Sequence, residues 1–157
     1  MTPPFLLDTS ALFAHCLEEP GADTVETILR QFPGEAGISV MTWLEFQVRL
    51  EEIHPDAEAR QEILACYAEL LDDPEPVTKV VAGAARDLRR LAGHRIPNAD
   101  ALIAATAQLA GATLVHRDPH LAAIPQNVVR QIVLPHRQTP VAAEEPAPAP
   151  ARRRRKA

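Results

Sequence analysis

The sequence contains little cysteine and no long apolar run. The first disfavours disulfide and zinc-thiolate sites, and the second disfavours a membrane-spanning segment. Cys16 and Cys66 lie far apart without a C-x-x-C pattern, so we expect two buried free thiols rather than a disulfide or a zinc site. No stretch approaches the roughly 20 apolar residues that cross a bilayer, and the first residues lack the features of a signal peptide. The sequence therefore predicts a cytoplasmic protein without redox chemistry or membrane segment.

Positive charge is scarce along most of the chain and concentrated near its end. Residues 1–135 contain 10 Lys and Arg against 19 Asp and Glu, a net charge of -9, whereas residues 136–157 contain 6 basic and 2 acidic residues, a net of +4. If the partner is a nucleic acid, affinity must come from local Arg clusters, from a metal ion that bridges to phosphate, from the tail, or from a basic surface formed by oligomerisation.

Length and composition predict one domain followed by a tail. The chain has 157 residues and 46% hydrophobic composition, which is enough for a single domain with a real core, and we place it at residues 1–135. Residues 136–157 are rich in Pro and Ala, contain no aromatic side chain and end in ARRRRKA. Because so little bulky apolar surface cannot offset the entropy of ordering, we expect this tail to be disordered.

Short apolar runs alternate with helical patterns along residues 5–134. We predict buried strands at 5–8, 37–40, 112–115 and 127–134, and helices at 8–19, 21–31, 42–53, 56–71, 77–91 and 97–111. Strands separated by helices in this way predict a three-layer α/β fold, with a mainly parallel central sheet flanked by helices.

Four isolated acids lie where such a fold could bring them together. Asp8 closes the apolar stretch PPFLLD and Asp118 follows ATLV by two residues, so both lie at the carboxyl ends of strands, where open α/β sheets place ligands. Glu45 lies within TWLEFQVRL and Asp100 within an almost wholly apolar helix. Each acid alone also has a structural explanation. Asp8 could be an N-cap and Glu45 could lie on a solvated helix edge, while Asp100 could interact with the helix dipole and Asp118 could form an Asx-turn.

Asp100 is the most informative of the four acids. The residues three, four and seven positions further on are Ile103, Ala104 and Ala107, which places the carboxylate on an apolar stripe of its helix. The helix dipole supplies only about 0.3 to 1 kcal/mol there, whereas burying a charge costs several kcal/mol.

If the four acids converge, ionised pairs about 5 Å apart repel by roughly 3 kcal/mol at an effective dielectric constant near 20. Such a cluster needs a cation, and oxygen ligands favour Mg²⁺ or Mn²⁺ over zinc.

The segments LLDTSAL, TWLEF, NADALIAATA and LVHRD resemble the successive motifs of PIN-domain ribonucleases, most closely the VapC-like toxins of bacterial toxin–antitoxin pairs. The resemblance covers residues 4–134. It implies a Mg²⁺- or Mn²⁺-dependent endoribonuclease with an acidic quartet of Asp8, Glu45, Asp100 and Asp118, in which Asp8 and Asp100 are the principal metal ligands. It also implies a homodimer and a small antitoxin protein as partner.

Several neighbours of these acids have two explanations each. Ser10 could hold a phosphate or a water molecule, or simply cap a helix, while Arg117, His116 and His120 could contact RNA phosphates or lie in an exposed loop. His116 also departs from the family pattern, which often has Thr two residues before the last acid. With one Trp, one Tyr and four Phe, the sequence shows no aromatic array for stacking bases, so it does not identify a target RNA.

Three other interpretations remain open. The protein could be a non-catalytic PIN-like module whose acids cap helices and whose surface binds proteins, or a housekeeping PIN nuclease without a toxin role. It could also be a metal-dependent phosphatase acting on a small phosphate ester. A phosphatase with an aspartyl nucleophile is disfavoured, because Asp8-Thr9-Ser10 lacks an acid two residues after the first.

Overall fold

The computed structural model describes residues 4–136, and these build an α/β fold around a parallel sheet. The sheet has four strands in the order β2-β1-β3-β4. Their bounds are β1 (Phe5–Leu7), β2 (Ala36–Ile38), β3 (Thr113–His116) and β4 (Gln131–Val133). Every pairing between neighbouring strands is parallel, so the predicted α/β class with a parallel sheet is confirmed.

Helices cover both faces of this sheet. They are α1 (Thr9–Cys16), α2 (Ala22–Gln31), α3 (Val40–Ile53), α4 (Ala57–Leu70), α5 (Lys79–Leu91), α6 (Asn98–Ala110) and α7 (Pro119–Ala122). Side chains alternate between the two faces of a strand. Leu7 and Val115 accordingly pack in one core cluster with α1 to α4, and Leu6 and Leu114 in a second with α5 to α7. The three layers predicted from the sequence are therefore present.

Local signals in the sequence set several helix ends, although α3 begins at Val40, two residues before the predicted start at residue 42. The Ser39 side chain accepts from the backbone N–H of Met41 and caps α3. Helix α6 lies between Pro97 and Gly111, as predicted, and Gly111 adopts the left-handed conformation with φ of 64°. A residue without a Cβ adopts that conformation at little cost, which is why the helix ends there.

Two expectations from the sequence are wrong in detail, and one short helix was missed. Only residues 131–133 of the predicted strand at 127–134 pair in the sheet, because the N–H groups of Val128 and Val129 turn back to the carbonyl of Pro125. The short helix α7 was not predicted. Both cysteines are free, but Cys66 is exposed and Cys16 only partly buried, so the expectation of two buried thiols fails.

Within residues 4–136, no helix combines the length and the apolar character needed to cross a membrane. The tail predicted to be disordered lies outside the described residues, except for His136.

Candidate metal centre

Asp8 lies at the carboxyl end of β1, where the chain turns directly into α1. Its side chain is only 3% exposed. Oδ2 accepts a hydrogen bond from the backbone N–H of Ser10 at 3.1 Å and another from the Ser10 hydroxyl at 2.6 Å. Burial raises the pKa of Asp8, while the two Ser10 hydrogen bonds act in the opposite direction. The carboxylate is thus held in a fixed position in which its charge is poorly solvated.

Asp118 lies at the same edge of the sheet, two residues beyond the end of β3. Because β3 pairs with β1 in parallel, the carboxyl ends of the two strands are adjacent. Asp118 Oδ1 accepts from the backbone N–H of His120 at 2.7 Å, which caps α7. Asp8 and Asp118 therefore do cap helices. Asp8 uses only Oδ2 for this and Asp118 only Oδ1, so each keeps its other carboxylate oxygen for a further ligand.

Asp100 and Glu45 approach this edge from two helices. Asp100 lies in the first turn of α6, and burial, followed by the charges of Asp118, Asp8 and Glu45, raises its pKa to about 7. The pKa of Glu45, on α3, is also raised, first by burial and then by the charge of Asp8. The charge of Asp118 raises the pKa of the other three acids, and the charge of Asp8 raises the pKa of Glu45 and Asp100. The four acids that the sequence singled out therefore lie near one another at this edge of the sheet.

His120 lies close to two of these acids, which was not expected from the sequence. One ligand atom from each of Asp100, Asp118 and His120 lies within 4.8 Å of the other two, and His120 Nδ1 is 3.1 Å from Asp118 Oδ1. From the sequence, His120 is expected only to flank Asp118, where it contacts RNA phosphates or lies in an exposed loop. The spacing Asp-x-His was the sequence signal for this contact. When an Asp caps a helix, a His two residues later can place its imidazole beside the capping carboxylate.

Two other residues near Asp118 have positions that differ from the sequence-based expectation. His116 is fully buried, so it is not available to RNA; its Nδ1 accepts from the backbone N–H of Asp118 at 3.0 Å. The ring proton must then lie on Nε2, which donates to Gln131 Oε1 at 2.8 Å. Arg117 pairs with Glu19, and both side chains are largely buried. His116 therefore positions Asp118.

Ser10 ties the two strand ends together. Its hydroxyl donates to Asp8 and accepts from the backbone N–H of Arg117 at 3.0 Å. This contact joins the start of α1 to the segment after β3. Ser10 thereby fixes Asp8 relative to the chain that carries Asp118.

The donor atoms of the cluster suit a divalent cation. Among residues 4–136, no Lys or Arg side chain lies within ion-pair distance of Asp8, Glu45, Asp100 or Asp118. In the same part of the chain, the buried Oε1 atom of Glu45 has no hydrogen-bond partner. Carboxylates held close together without a counter-charge are unfavourable unless a cation binds between them. The carboxylate oxygens of the cluster are ligands of the kind that Mg²⁺ and Mn²⁺ prefer.

Comparisons with known proteins agree with this architecture. A family model described as the PIN domain matches residues 5–127. The fold is similar to VapBC2 from Rickettsia felis bound to a promoter DNA fragment, with 21% identity, coverage of 83% of this chain and 98% of that chain, and a TM-score of 0.66. It is also similar to DNA-bound VapBC from Salmonella typhimurium, with 20% identity, the same two coverages and a TM-score of 0.67.

VapBC-5 from Mycobacterium tuberculosis, described as a member of the VapBC family of toxin-antitoxin systems, is 24% identical over 83% of this chain and 99% of that chain, with a TM-score of 0.57. No curated protein sequence matches the chain significantly. At these identities, the structural likeness concerns the fold.

Proposed function

Because the chain belongs to the PIN-domain family, we propose that it is a Mg²⁺- or Mn²⁺-dependent endoribonuclease that hydrolyses RNA phosphodiester bonds. The observation that carries this proposal is the convergence of Asp8, Glu45, Asp100 and Asp118 at one edge of the sheet, with no Lys or Arg paired to them among residues 4–136. PIN-domain proteins are nucleases, and a divalent cation held by carboxylates can activate the water that hydrolyses a phosphodiester bond.

The residues of the cluster have separable roles in this proposal. Asp8, Glu45, Asp100 and Asp118 would hold the cation as a catalytic set, with His120 as an additional ligand. When bound, the cation supplies a water of lowered pKa and neutralises charge on the phosphate oxygens. Ser10 and His116 position Asp8 and Asp118 through the hydrogen bonds described above. Ligand orientation of this kind commonly accounts for 10- to 100-fold in metal affinity or activity.

We further propose that the enzyme is the toxin of a toxin–antitoxin pair, acting in the cytoplasm as a homodimer held inactive by a small antitoxin. The similarity to VapBC structures supports this proposal. A surface of α3 supports it too: Val40, Leu44 and Val48 follow one another every four residues, and all are more than 40% exposed. An apolar stripe of this kind beside Glu45 suits a protein partner.

The toxin role is tested by expressing the chain alone in bacteria. Growth should stop, and Asp100→Asn should restore it. Growth arrest that persists in the variant would mean that the effect does not depend on the acidic cluster. RNA cleavage without growth arrest would favour a housekeeping nuclease, and phosphate release from a small ester with intact RNA would favour a phosphatase.

Cation binding should weaken in acid, because Asp100 must lose its proton to act as a ligand. With its pKa at about 7, the ionised fraction falls from about 0.9 at pH 8 to about 0.1 at pH 6. We therefore expect the Kd for Mn²⁺, measured by calorimetric titration, to rise about tenfold over this interval. Asp100→Asn should bind far more weakly and lose the part of this pH dependence that Asp100 contributes. A wild-type Kd that is constant between pH 6 and pH 8 would contradict the assignment of Asp100 as a ligand.

A further inference from the structure

A cavity of about 730 Å³ lies between α5 and α6, outside the acidic cluster. Its polar lining comes mainly from Arg86, Arg89, Arg90 and Arg95, with Asn98 at its α6 side. Apart from His94, the remaining lining is apolar and mostly small, as at Ala85 on α5. The cavity therefore combines several guanidinium groups with an apolar floor.

These arginines are an exceptional concentration of positive charge for this domain. Residues 1–135 contain only 10 Lys and Arg and carry a net charge of -9, yet four of the 10 line this one cavity. Among residues 4–136, Arg90 and Arg95 have no carboxylate within ion-pair distance, and Arg86 pairs only with its exposed neighbour Asp87. All four side chains are exposed, and no ion pair with a buried acid in the described part of the chain holds any of them in place.

The helix dipole explains only part of the cluster. Arg89 and Arg90 lie in the last turn of α5, where a cation gains about 0.3 to 1 kcal/mol. Arg86 lies a turn earlier, and Arg95 follows Gly93, beyond the end of the helix. Arg89 also donates to Asn98 Oδ1 at 2.8 Å, which links the cluster to the first residue of α6. The arginines thus gather around the cavity rather than along the helix end.

The first turn of α6 connects this cavity to the acidic cluster. Asn98 lines the cavity, and Asp100, two residues later, belongs to the candidate metal centre. Guanidinium groups bind phosphate with two parallel hydrogen bonds, and the small apolar floor leaves room for a sugar. We propose that the cavity binds the sugar-phosphate backbone of the single-stranded RNA substrate, on one side of the bond that is cut. This inference rests on the proposed ribonuclease function.

The test measures how RNA binding depends on salt in the absence of metal. A fluorescein-labelled single-stranded RNA 12-mer is titrated with the full chain in EDTA at several KCl concentrations. For a single strand, each phosphate contact contributes roughly 0.7 to the slope of log K against log salt. Removing two contacts with Arg90→Ala/Arg95→Ala should therefore reduce the magnitude of the slope by roughly 1.4. Arg90→Lys/Arg95→Lys, which keeps the charge, should restore most of the slope.

The matched control is Arg30→Ala/Lys79→Ala, which removes the same charge from exposed positions outside the cavity. The proposal fails if the control lowers the slope as much as the cavity variant, if the cavity variant leaves it unchanged, or if the wild-type protein does not bind the RNA. It also fails if light scattering shows that the cavity variant changes the oligomeric state, because the cavity would then be a subunit contact.

Cleavage of the same RNA by the wild-type protein with Mn²⁺ is measured in parallel. A slope change without cleavage would support the cavity and reject the ribonuclease function. Cleavage without a slope change would support the ribonuclease function and reject RNA binding at the cavity.

Discussion

Replacing Asp100 with Asn is expected to lower Mn²⁺-dependent RNA cleavage by roughly 100-fold or more. Residues that merely orient metal ligands commonly contribute 10- to 100-fold, so the loss of a ligand that also carries charge should cost at least the upper end of that range. Initial rates on a single-stranded RNA at pH 8 measure the effect. Asp23→Asn is the matched control, because Asp23 is likewise an acid in the first turn of a helix but is exposed.

The same substitution should stabilise the metal-free protein, which separates loss of function from loss of fold. The folded-state pKa of Asp100 is about 7, above its ordinary value of 3.8, so the folded protein holds an extra proton between these values. The free energy of unfolding therefore falls as the pH rises through this window, and above pH 7 the full penalty is present. Asp100→Asn removes that penalty.

Urea unfolding in EDTA should consequently show a higher midpoint for Asp100→Asn than for wild type at pH 8, and little difference at pH 3. Asp23→Asn should show no such gain. A variant that is both inactive and less stable at pH 8 would mean that Asp100 stabilises the fold. Its ionised carboxylate would then not be an unfavourable buried charge that awaits a cation.

Phe46→Ala is expected to destabilise the protein by about 3 to 5 kcal/mol, the cost typical of removing a buried aromatic ring. Phe46 is fully buried, and its ring lies 5.0 Å from that of Phe13 on α1 and 5.1 Å from that of Tyr67 on α4. It directly follows Glu45, so this packing also fixes the helix that carries the acid. The loss is measured as the change in free energy of unfolding in urea.

Phe32→Ala is the control with the same chemical change. Phe32 is 38% exposed and has one ring neighbour, Phe5, at 5.3 Å. It should lose less than half as much stability as Phe46→Ala. Equal losses would contradict the view that the rings of Phe46, Phe13 and Tyr67 form the packing centre between α1, α3 and α4.

The sequence predicted the parts of the fold that depend on local patterns. Apolar runs at β1 and β3 place Asp8 and Asp118 at the same sheet edge once the strands are parallel neighbours. Pro97 and Gly111 bracket α6 through backbone conformations that those residues favour. The resemblance to PIN-domain proteins, carried by the motifs around these acids, is confirmed by the match over residues 5–127.

Features that depend on tertiary contacts were not predictable in the same way. Helix α7 has only four residues, too few for a periodic pattern, and depends on the Asp118 cap and on the buried Leu121. The Asp-x-His spacing brings His120 to Asp118, but its proximity to Asp100 depends on the packing of α6 against α7, which no local pattern encodes. The sequence allowed for local Arg clusters, but the cavity that gathers Arg86 and Arg95 exists only because α5 packs against α6.

Whether the acidic cluster binds a divalent cation is decided by a crystal structure of the protein soaked in MnCl₂ at pH 8, with anomalous scattering recorded at the manganese edge. We expect an anomalous peak from Mn²⁺ bound by Asp100 and Asp118, with His120 beside them and ligand distances of about 2.0 to 2.2 Å. A map with no peak at these residues at millimolar Mn²⁺, or with a peak only elsewhere, would contradict it.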